Sequence, residues 1–317
     1  MADLEQIVSL AKRRGFIFPG SEIYGGLAGT WDLGPLGAEL AHNIKELWWN
    51  YFVRSHEEIF GLASSILTPE KVWEASGHLE GFADPLGEGQ RFNLMFKTEV
   101  GAAEPEKKAA YLRPELAQGM FVNFKNVLDT MRPALPFGIA QIGKAFRNEI
   151  APRDFLFRVR EFDLMEFEYF VKESEWAEHF EKWRKEIWAW VEEVGIDKSK
   201  VHELEVPDGE RAHYSKRTID FEFDWPFGTK ELYGLAYRGD FDLSNHMKHS
   251  GIDLKYTDPA SGEKFIPHVI EPTFGLGRTI LAVLLSAYRE DGERVVLSLP
   301  SKIAPVKAAV FPLVSNK

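Results

Sequence analysis

The chain has 317 residues, and 38 Lys+Arg against 49 Asp+Glu give a formal net charge of −11. With 44% hydrophobic and 27% charged residues it has the composition of a folded globular chain, not of a disordered one. It contains no cysteine, which excludes disulfides, Cys-ligated zinc, iron–sulfur clusters and thiol catalysis and fits a reducing cytoplasm. The length allows one large domain or two modest ones. The acidic balance argues against non-specific coating of nucleic acid but leaves room for a local basic patch. No stretch reaches the ~18–20 apolar residues of a membrane span, and residues 1–14 carry their basic group last, unlike a signal peptide. The expected location is cytoplasmic, with no membrane partner.

Residues 1–14 form an amphipathic helix candidate, with Leu4, Ile7, Val8, Leu10 and Ala11 at helical spacing. Residues 15–37 are rich in glycine but hold neither G-x-G-x-x-G nor a P-loop, so they read as a looping lead-in. Gly34-Pro35 opens a helix over 36–53, and 66–69 is a short strand. Strands over 135–149 and 159–171 flank a polar loop, 150–157. Ser174 is an expected N-cap for a helix carrying Trp176, Phe180, Trp183, Ile187, Val191 and Val194 on one stripe, stopped by Gly195. Helical spacing marks those tryptophans as core. Residues 198–212 and 253–264 read as polar connections, the latter with turn chemistry at Asp258-Pro259 and Gly262. Between them, Ile219, Phe221, Phe223 and Trp225 alternate with polar residues in a half-buried strand and 231–238 is a further strand; 265–271, after the second connection, is another. A helix after Gly277 is apolar almost all round and should be deeply buried. Strands joined by short loops give an α+β fold: a mostly antiparallel β-sheet flanked by helices.

The chemistry concentrates around the 150–157 loop. If the flanking strands form a hairpin, period 2 places Arg147 with Glu149, and Arg158 with Phe162 and Glu166. One face then carries two arginines, an aromatic plate and two carboxylates. The competing reading, a ladder of ion pairs on a solvated face, accounts poorly for Phe162 among the charges. Downstream, Gly275-Leu276-Gly277-Arg278 leads into the buried helix, where glycines let backbone approach an anion; the alternative is a pair of packing glycines. His78 reads as a satisfied structural histidine. His246-x-x-His249 lacks a third ligand nearby for a metal site.

Phe146-Arg147-Asn148-Glu149 followed by Arg158, Phe162 and Glu166 resembles the second signature of class II aminoacyl-tRNA synthetases. Gly275-Leu276-Gly277-Arg278 resembles their third. The helix over 36–53 leading to Ile66-Leu67-Thr68-Pro69 resembles their first, which forms the dimer interface in that family. Val72-Trp73-Glu74-Ala75-Ser76-Gly77-His78, Phe92-Asn93-Leu94-Met95-Phe96-Lys97-Thr98, Leu112-Arg113-Pro114-Glu115-Leu116-Ala117-Gln118-Gly119 and Val269-Ile270-Glu271-Pro272 narrow the resemblance to the homodimeric glycyl-tRNA synthetases.

The resemblance implies activation of glycine by ATP to glycyl-adenylate, then transfer to the 3′ end of glycine tRNA. Arg147, Glu149 and Arg278 are the implied catalytic residues. ATP would be held by Arg147, Asn148, Glu149, Phe157, Arg158, Phe162, Glu231, Leu232, Arg238, Gly275, Leu276, Gly277 and Arg278. Glycine would be held by Glu115, Phe162, Glu166, Glu271, Thr273 and Gly275, with the acids reading its ammonium. Glu231 and Asp242 are the implied ligands of the Mg2+ that accompanies ATP; no zinc is expected. Implied partners are glycine, ATP, the acceptor end of glycine tRNA and a second copy of the chain. The family also contains a rival type, a non-catalytic synthetase-like accessory or binding subunit, which should have lost the ATP arginines; another class II amino-acid specificity is a third reading. Three departures stand out. Gly87-Glu88-Gly89-Gln90 bridges a point where relatives carry an insertion, often with zinc-binding Cys. Thr273 replaces the usual Ser, and Tyr237 replaces a small polar residue. Residues 1–300 are the implied catalytic domain. The segment 301–317, with 304–314 as one strand, is the implied beginning of an anticodon-binding domain that does not follow, so tRNA charging should be weakened.

Overall fold

The computed structural model describes residues 3–87, 89–103 and 106–313. Helix α1 (Leu4–Arg13) is opened by Asp3, whose side chain accepts the Gln6 N–H while the Gln6 side chain accepts the Asp3 N–H. Helix α2 (Pro35–Trp48) starts with proline at its first position, as expected, and its last turns loosen into a π-helix over Trp49–Arg54. In its first turn Gly37 lies under the Phe16 carbonyl so closely that a Cβ would sit 1.8 Å from that oxygen. At least this glycine of the 15–37 stretch therefore serves close packing.

Seven strands make the central sheet: β1 (Ile59–Gly61), β2 (Phe137–Phe146), β3 (Glu161–Val171), β4 (Val201–Glu205), β5 (Arg217–Trp225), β6 (Gly228–Gly239) and β7 (His268–Gly275). Their order is β4-β5-β6-β7-β3-β2-β1, antiparallel throughout except the β1–β2 edge pair. The expected hairpin is present: β2 and β3 pair from Glu161 opposite Phe146 to Phe170 opposite Phe137. The alternation over 219–225 holds, with Ile219, Phe221, Phe223 and Trp225 all buried.

One sheet face is covered by α2, by α4 (Trp176–Glu193) and by α6 (Leu276–Ala287). Trp48, Phe52, Phe167, Trp183, Trp190, Phe274, Ile280 and Leu281 fill this core, so the α4 tryptophans pack as their spacing predicts. The other face meets α3 (Ala117–Val122) and α5 (Phe241–Ser250) through Leu116, Phe121, Phe124, Phe137, Phe170 and Leu243. The site lies on this second face.

Several expectations change. A 3-10 turn over Glu173–Glu175 precedes α4, so the helix begins at Trp176 and Ser174 does not cap it. The connection 198–212 contains the edge strand β4, whose polar outward residues hid it. A small three-stranded sheet, from segments Leu67–Pro69, Phe96–Val100 and Lys108–Leu112, stands beside the main one. The 87–90 bridge joins the antiparallel pair Ala83–Gly87 and Gln90–Asn93; Glu88 lies outside the described residues. Residues 304–313 form no strand, and 314–317 lie outside the described residues. No described helix is long and apolar enough to cross a membrane.

Candidate active site

The site is built where β3, β7 and β6 run side by side. Leu164 faces Gly275, Glu166 faces Thr273, and Gly234 and Ala236 face Thr273 and Glu271. The small residues at 234, 236 and 275 leave the middle of the sheet without bulk. Two adjoining chambers open there, of about 380 and 270 Å³, sharing Arg147, Leu164, Glu231 and Thr273 as common walls. A larger open groove of about 880 Å³ lies beside Gln6, Ile196 and Arg289 and contains none of the motif residues.

The larger chamber is walled by arginines. Arg158 donates from Nε to Glu149 Oε2 at 2.6 Å and from Nη2 to Asp84 Oδ2 at 2.8 Å. Burial opposes its charge, and Glu149 and Asp84 more than offset that cost. The Arg147 guanidinium lies 5.3 Å from the ring centres of both Phe82 and Phe162, and its Nε donates to the Pro114 carbonyl at 3.1 Å. Arg278 stacks 4.5 Å over Phe157 and pairs through Nη1 with Glu231 Oε2 at 3.0 Å. Planar guanidinium groups suit both phosphate and ring stacking. Arg147, Glu149 and Arg158 lie beyond the strand ends, where period 2 no longer applies. They converge through the loop, in which Arg147 donates its N–H to the Arg160 carbonyl and Arg153 pairs with Arg158. Gly277 lets that loop come close: a Cβ there would lie 3.0 Å from the Leu156 carbonyl oxygen.

A bulge aims Glu231. Strict alternation would put it on the same face as Tyr233 and Leu235, in the core. The β5–β6 register shifts between Phe221 and Glu222, so Glu231 pairs with Glu222 while Tyr233 pairs with Phe221. One extra residue, Leu232, turns Glu231 onto the site face.

The smaller chamber is lined by carboxylates: Glu115, Glu166 and Glu271, with Asp220 and Glu231 at the side toward the larger one. Burial would raise Glu115, but His78 at 3.1 Å, and then Arg238, hold it well below the usual carboxylate range. Glu166 accepts the Leu116 N–H at 3.1 Å and is still pushed well up by burial, Glu271 and Glu115. Burial also raises Glu271, and Arg238 offsets it only in part. Asp220 is pushed up to about 7 by burial and by Glu231 and Glu222. Thr273 Oγ1 donates to Glu271 Oε1 at 3.1 Å.

Of the residues expected to bind ATP, the larger chamber brings together Arg147, Glu149, Phe157, Arg158, Phe162, Glu231, Leu232, Gly275, Gly277 and Arg278. Asn148 lines neither chamber and anchors the backbone instead, its N–H reaching the Leu94 carbonyl at 2.7 Å. Leu276 is buried in the α6 core. Arg238 is corrected: it has no exposed surface and lies behind the smaller chamber. It donates to Asp242 at 2.7 and 2.8 Å and to Glu271 at 2.5 Å, and lies 3.6 Å from the Tyr214 ring centre. Asp242 is corrected with it. It is buried, bound by Arg238 and Gln118, and lines neither chamber, so it is not a metal-side acid. Of the residues expected to bind glycine, Glu115, Glu166, Glu271 and Thr273 line the smaller chamber, whereas Phe162 and Gly275 line only the larger. Sequence reasoning missed Phe82, Asp84, Tyr214 and Asp220. Asp220 had a readable signal, its place on the polar side of an alternating strand. His78 is structural, as expected, yet it touches the site through Glu115, with Ser76 at 2.8 Å on its other nitrogen.

Residues 96–287 match the tRNA synthetase class II core domain (G, H, P, S and T). The chain is 46% identical to a glycine–tRNA ligase of Caldanaerobacter subterraneus subsp. tengcongensis and 44% identical to one of Alkaliphilus oremlandii, in each case over 98% of this chain and 80% of the relative. The first match extends over 370 positions, more than this chain contains, so that relative has segments without a counterpart here. A structure of Giardia lamblia prolyl-tRNA synthetase in complex with prolyl-adenylate superposes with a TM-score of 0.74 at 19% identity, covering 96% of this chain and 55% of that one; it shares the fold. The chain belongs to the glycine–tRNA ligase family of class II tRNA synthetases.

Proposed function

We propose that the chain joins glycine to ATP as glycyl-adenylate, releasing pyrophosphate, and then passes the glycyl group to the 3′ end of glycine tRNA. The observation that carries this reading is the junction of the two chambers: an arginine-walled one meets an acid-lined one at Arg147. That junction is where an α-phosphate and an amino-acid carboxylate would meet. Arg147 binds both anions and holds the carboxylate in line for attack on phosphorus. Negative charge builds on the α-phosphate in that step, so a fixed guanidinium there lowers the barrier by electrostatics and positioning.

Arg158, held by Glu149 and Asp84, and Arg278, held by Glu231, bind the outer phosphates. Adenine stacks on Phe162, displacing Arg147 from that ring face. Asp220 and Glu231 are the pair suited to Mg2+: crowding raises Asp220, and Arg278 is the cation that offsets it. When bound with the nucleotide, magnesium neutralises phosphate charge. Glu115, Glu166 and Glu271 receive glycine's ammonium, and the Thr273 methyl narrows the space beside its α-carbon. Glycine has no smaller competitor, so steric exclusion suffices for selectivity.

The retained Arg147, Arg158 and Arg278 favour this reading over a non-catalytic subunit. Exposed Ile66 and Leu67 at the strand ending at Pro69, and Ile23, Tyr24 and Leu27 in the segment ahead of α2, support a homodimer, which light scattering tests. Residues 1–300 act as the catalytic unit and 301–317 as the start of a tRNA-binding module. Glycine-dependent exchange of pyrophosphate into ATP tests the proposal; folded protein that shows none refutes it.

A further inference from the structure

Glu168 belongs to none of the roles above. It stands two residues beyond Glu166 on the same face of β3, in the register that sets it opposite Glu271. It is 0% exposed, and neither of its carboxylate oxygens has a hydrogen-bond partner. One oxygen each of Glu166, Glu168 and Glu271 lies within 4.8 Å of the other two. The charged groups facing Glu168 are Glu166 on its own strand, Glu271 on β7, Arg238 on β6 and Asp242 in the first turn of α5. Arg238 is the cation in this set, and its donors go to Asp242 and Glu271.

An isolated buried carboxylate is costly, and such a group normally stays neutral. The hydrogen bonds indicate which acid holds the proton. Glu166 receives the Leu116 N–H, and Glu271 receives Arg238 and the Thr273 hydroxyl, whereas Glu168 receives nothing. Burial and then Glu271 push Glu168 well above the usual carboxylate range, in agreement with that assignment.

We propose that Glu168 is a neutral acid in the empty pocket and that the ammonium group of glycine displaces its proton, so that each binding event releases a proton to solvent. This rests on the glycine-binding reading above. The ammonium keeps its own protons. Glu168 itself lines neither chamber; it acts on the ammonium through its closeness to Glu166 and Glu271, which do. The O–H bond of Glu168 breaks, the proton passes to buffer, and the new carboxylate adds its charge to the pair that holds the incoming cation, so the ammonium's positive charge takes the place of the proton's. Proton and ammonium compete, and glycine affinity rises with pH by up to about tenfold per unit while Glu168 is protonated in the empty protein.

Titration calorimetry of the whole protein with glycine, at one pH in phosphate and in Tris, measures the proton count directly. The expected result is a heat that depends on buffer ionisation enthalpy, with close to one proton released at a pH where Glu168 is protonated in the empty protein. Glu168→Gln, isosteric with the protonated acid, should give a buffer-independent heat and a glycine affinity flat with pH, falling behind wild type as pH rises. A buffer-independent heat in wild type overturns the inference, as does an equal release in Glu168→Gln. Affinity that falls with KCl while the heat ignores the buffer also overturns it, because an alkali cation would then be what glycine displaces. No glycine binding at all overturns the activity reading together with this one.

Discussion

Replacing Arg238 with Met separates the two places this arginine could occupy. The structure buries it completely and gives it Asp242 and Glu271 as partners. Met retains most of the apolar stem while removing the charge and the guanidinium that lies over the Phe121 and Tyr214 rings. Two buried carboxylates are then left without their counter-ion, a change worth about 3–5 kcal/mol. That is a large share of the roughly 5–15 kcal/mol by which a domain is stable. Urea unfolding of Arg238→Met should show this loss. Steady-state exchange kinetics should show a raised KM for glycine, because Glu271 loses its anchor, with the KM for ATP unmoved. Adding Asp242→Asn should restore part of the stability, since the second substitution removes one of the stranded charges. Unchanged stability with a raised KM for ATP would refute the reasoning and put Arg238 back on the nucleotide.

Other outcomes follow from the same geometry. Arg147→Ala should abolish pyrophosphate exchange while leaving the unfolding curve and the oligomeric state unchanged, because its contacts are mostly with the two chambers. Gly277→Ala should raise the KM for ATP and cost about 1–3 kcal/mol in urea unfolding, since its Cβ presses on the Leu156 carbonyl beside Phe157 and Arg158. The pH dependence of stability has a definite sign for Glu168. Its folded carboxyl titrates higher than its unfolded one, so the native state binds the extra proton and stability falls as pH rises above the unfolded value. Glu168→Gln should therefore stabilise the empty protein at pH 8 and not at pH 4, measured by urea unfolding at each pH.

The local parts of the site were legible in the sequence. The β2–β3 hairpin, the alternation over 219–225 and the all-round apolar α6 each follow from a short-range period, and the structure keeps them. The arginine cluster was located correctly for an incomplete reason. Period 2 explains Phe162 and Glu166, but Arg147, Glu149 and Arg158 are brought together by loop hydrogen bonds. Residues that depend on distant partners were misplaced. Arg238 and Asp242 sit in a buried ion network assembled from β6, α5, β7 and α3, and no local pattern shows that closure. Glu231 faces the site only because a bulge adds Leu232 to β6. Ser174 has the right chemistry for an N-cap, but a 3-10 turn takes its place. Glu168 was readable as the period-2 neighbour of Glu166; its lack of any partner was not.

The central claim is that the arginine-walled and acid-lined chambers act together on one amino acid. A panel of amino acids in the ATP–pyrophosphate exchange assay tests this most directly. The account predicts exchange with glycine, little with alanine or serine because the Thr273 methyl narrows the pocket, and none with Arg147→Ala. Equal exchange with alanine or serine, or glycine-dependent exchange that survives in Arg147→Ala, would contradict it.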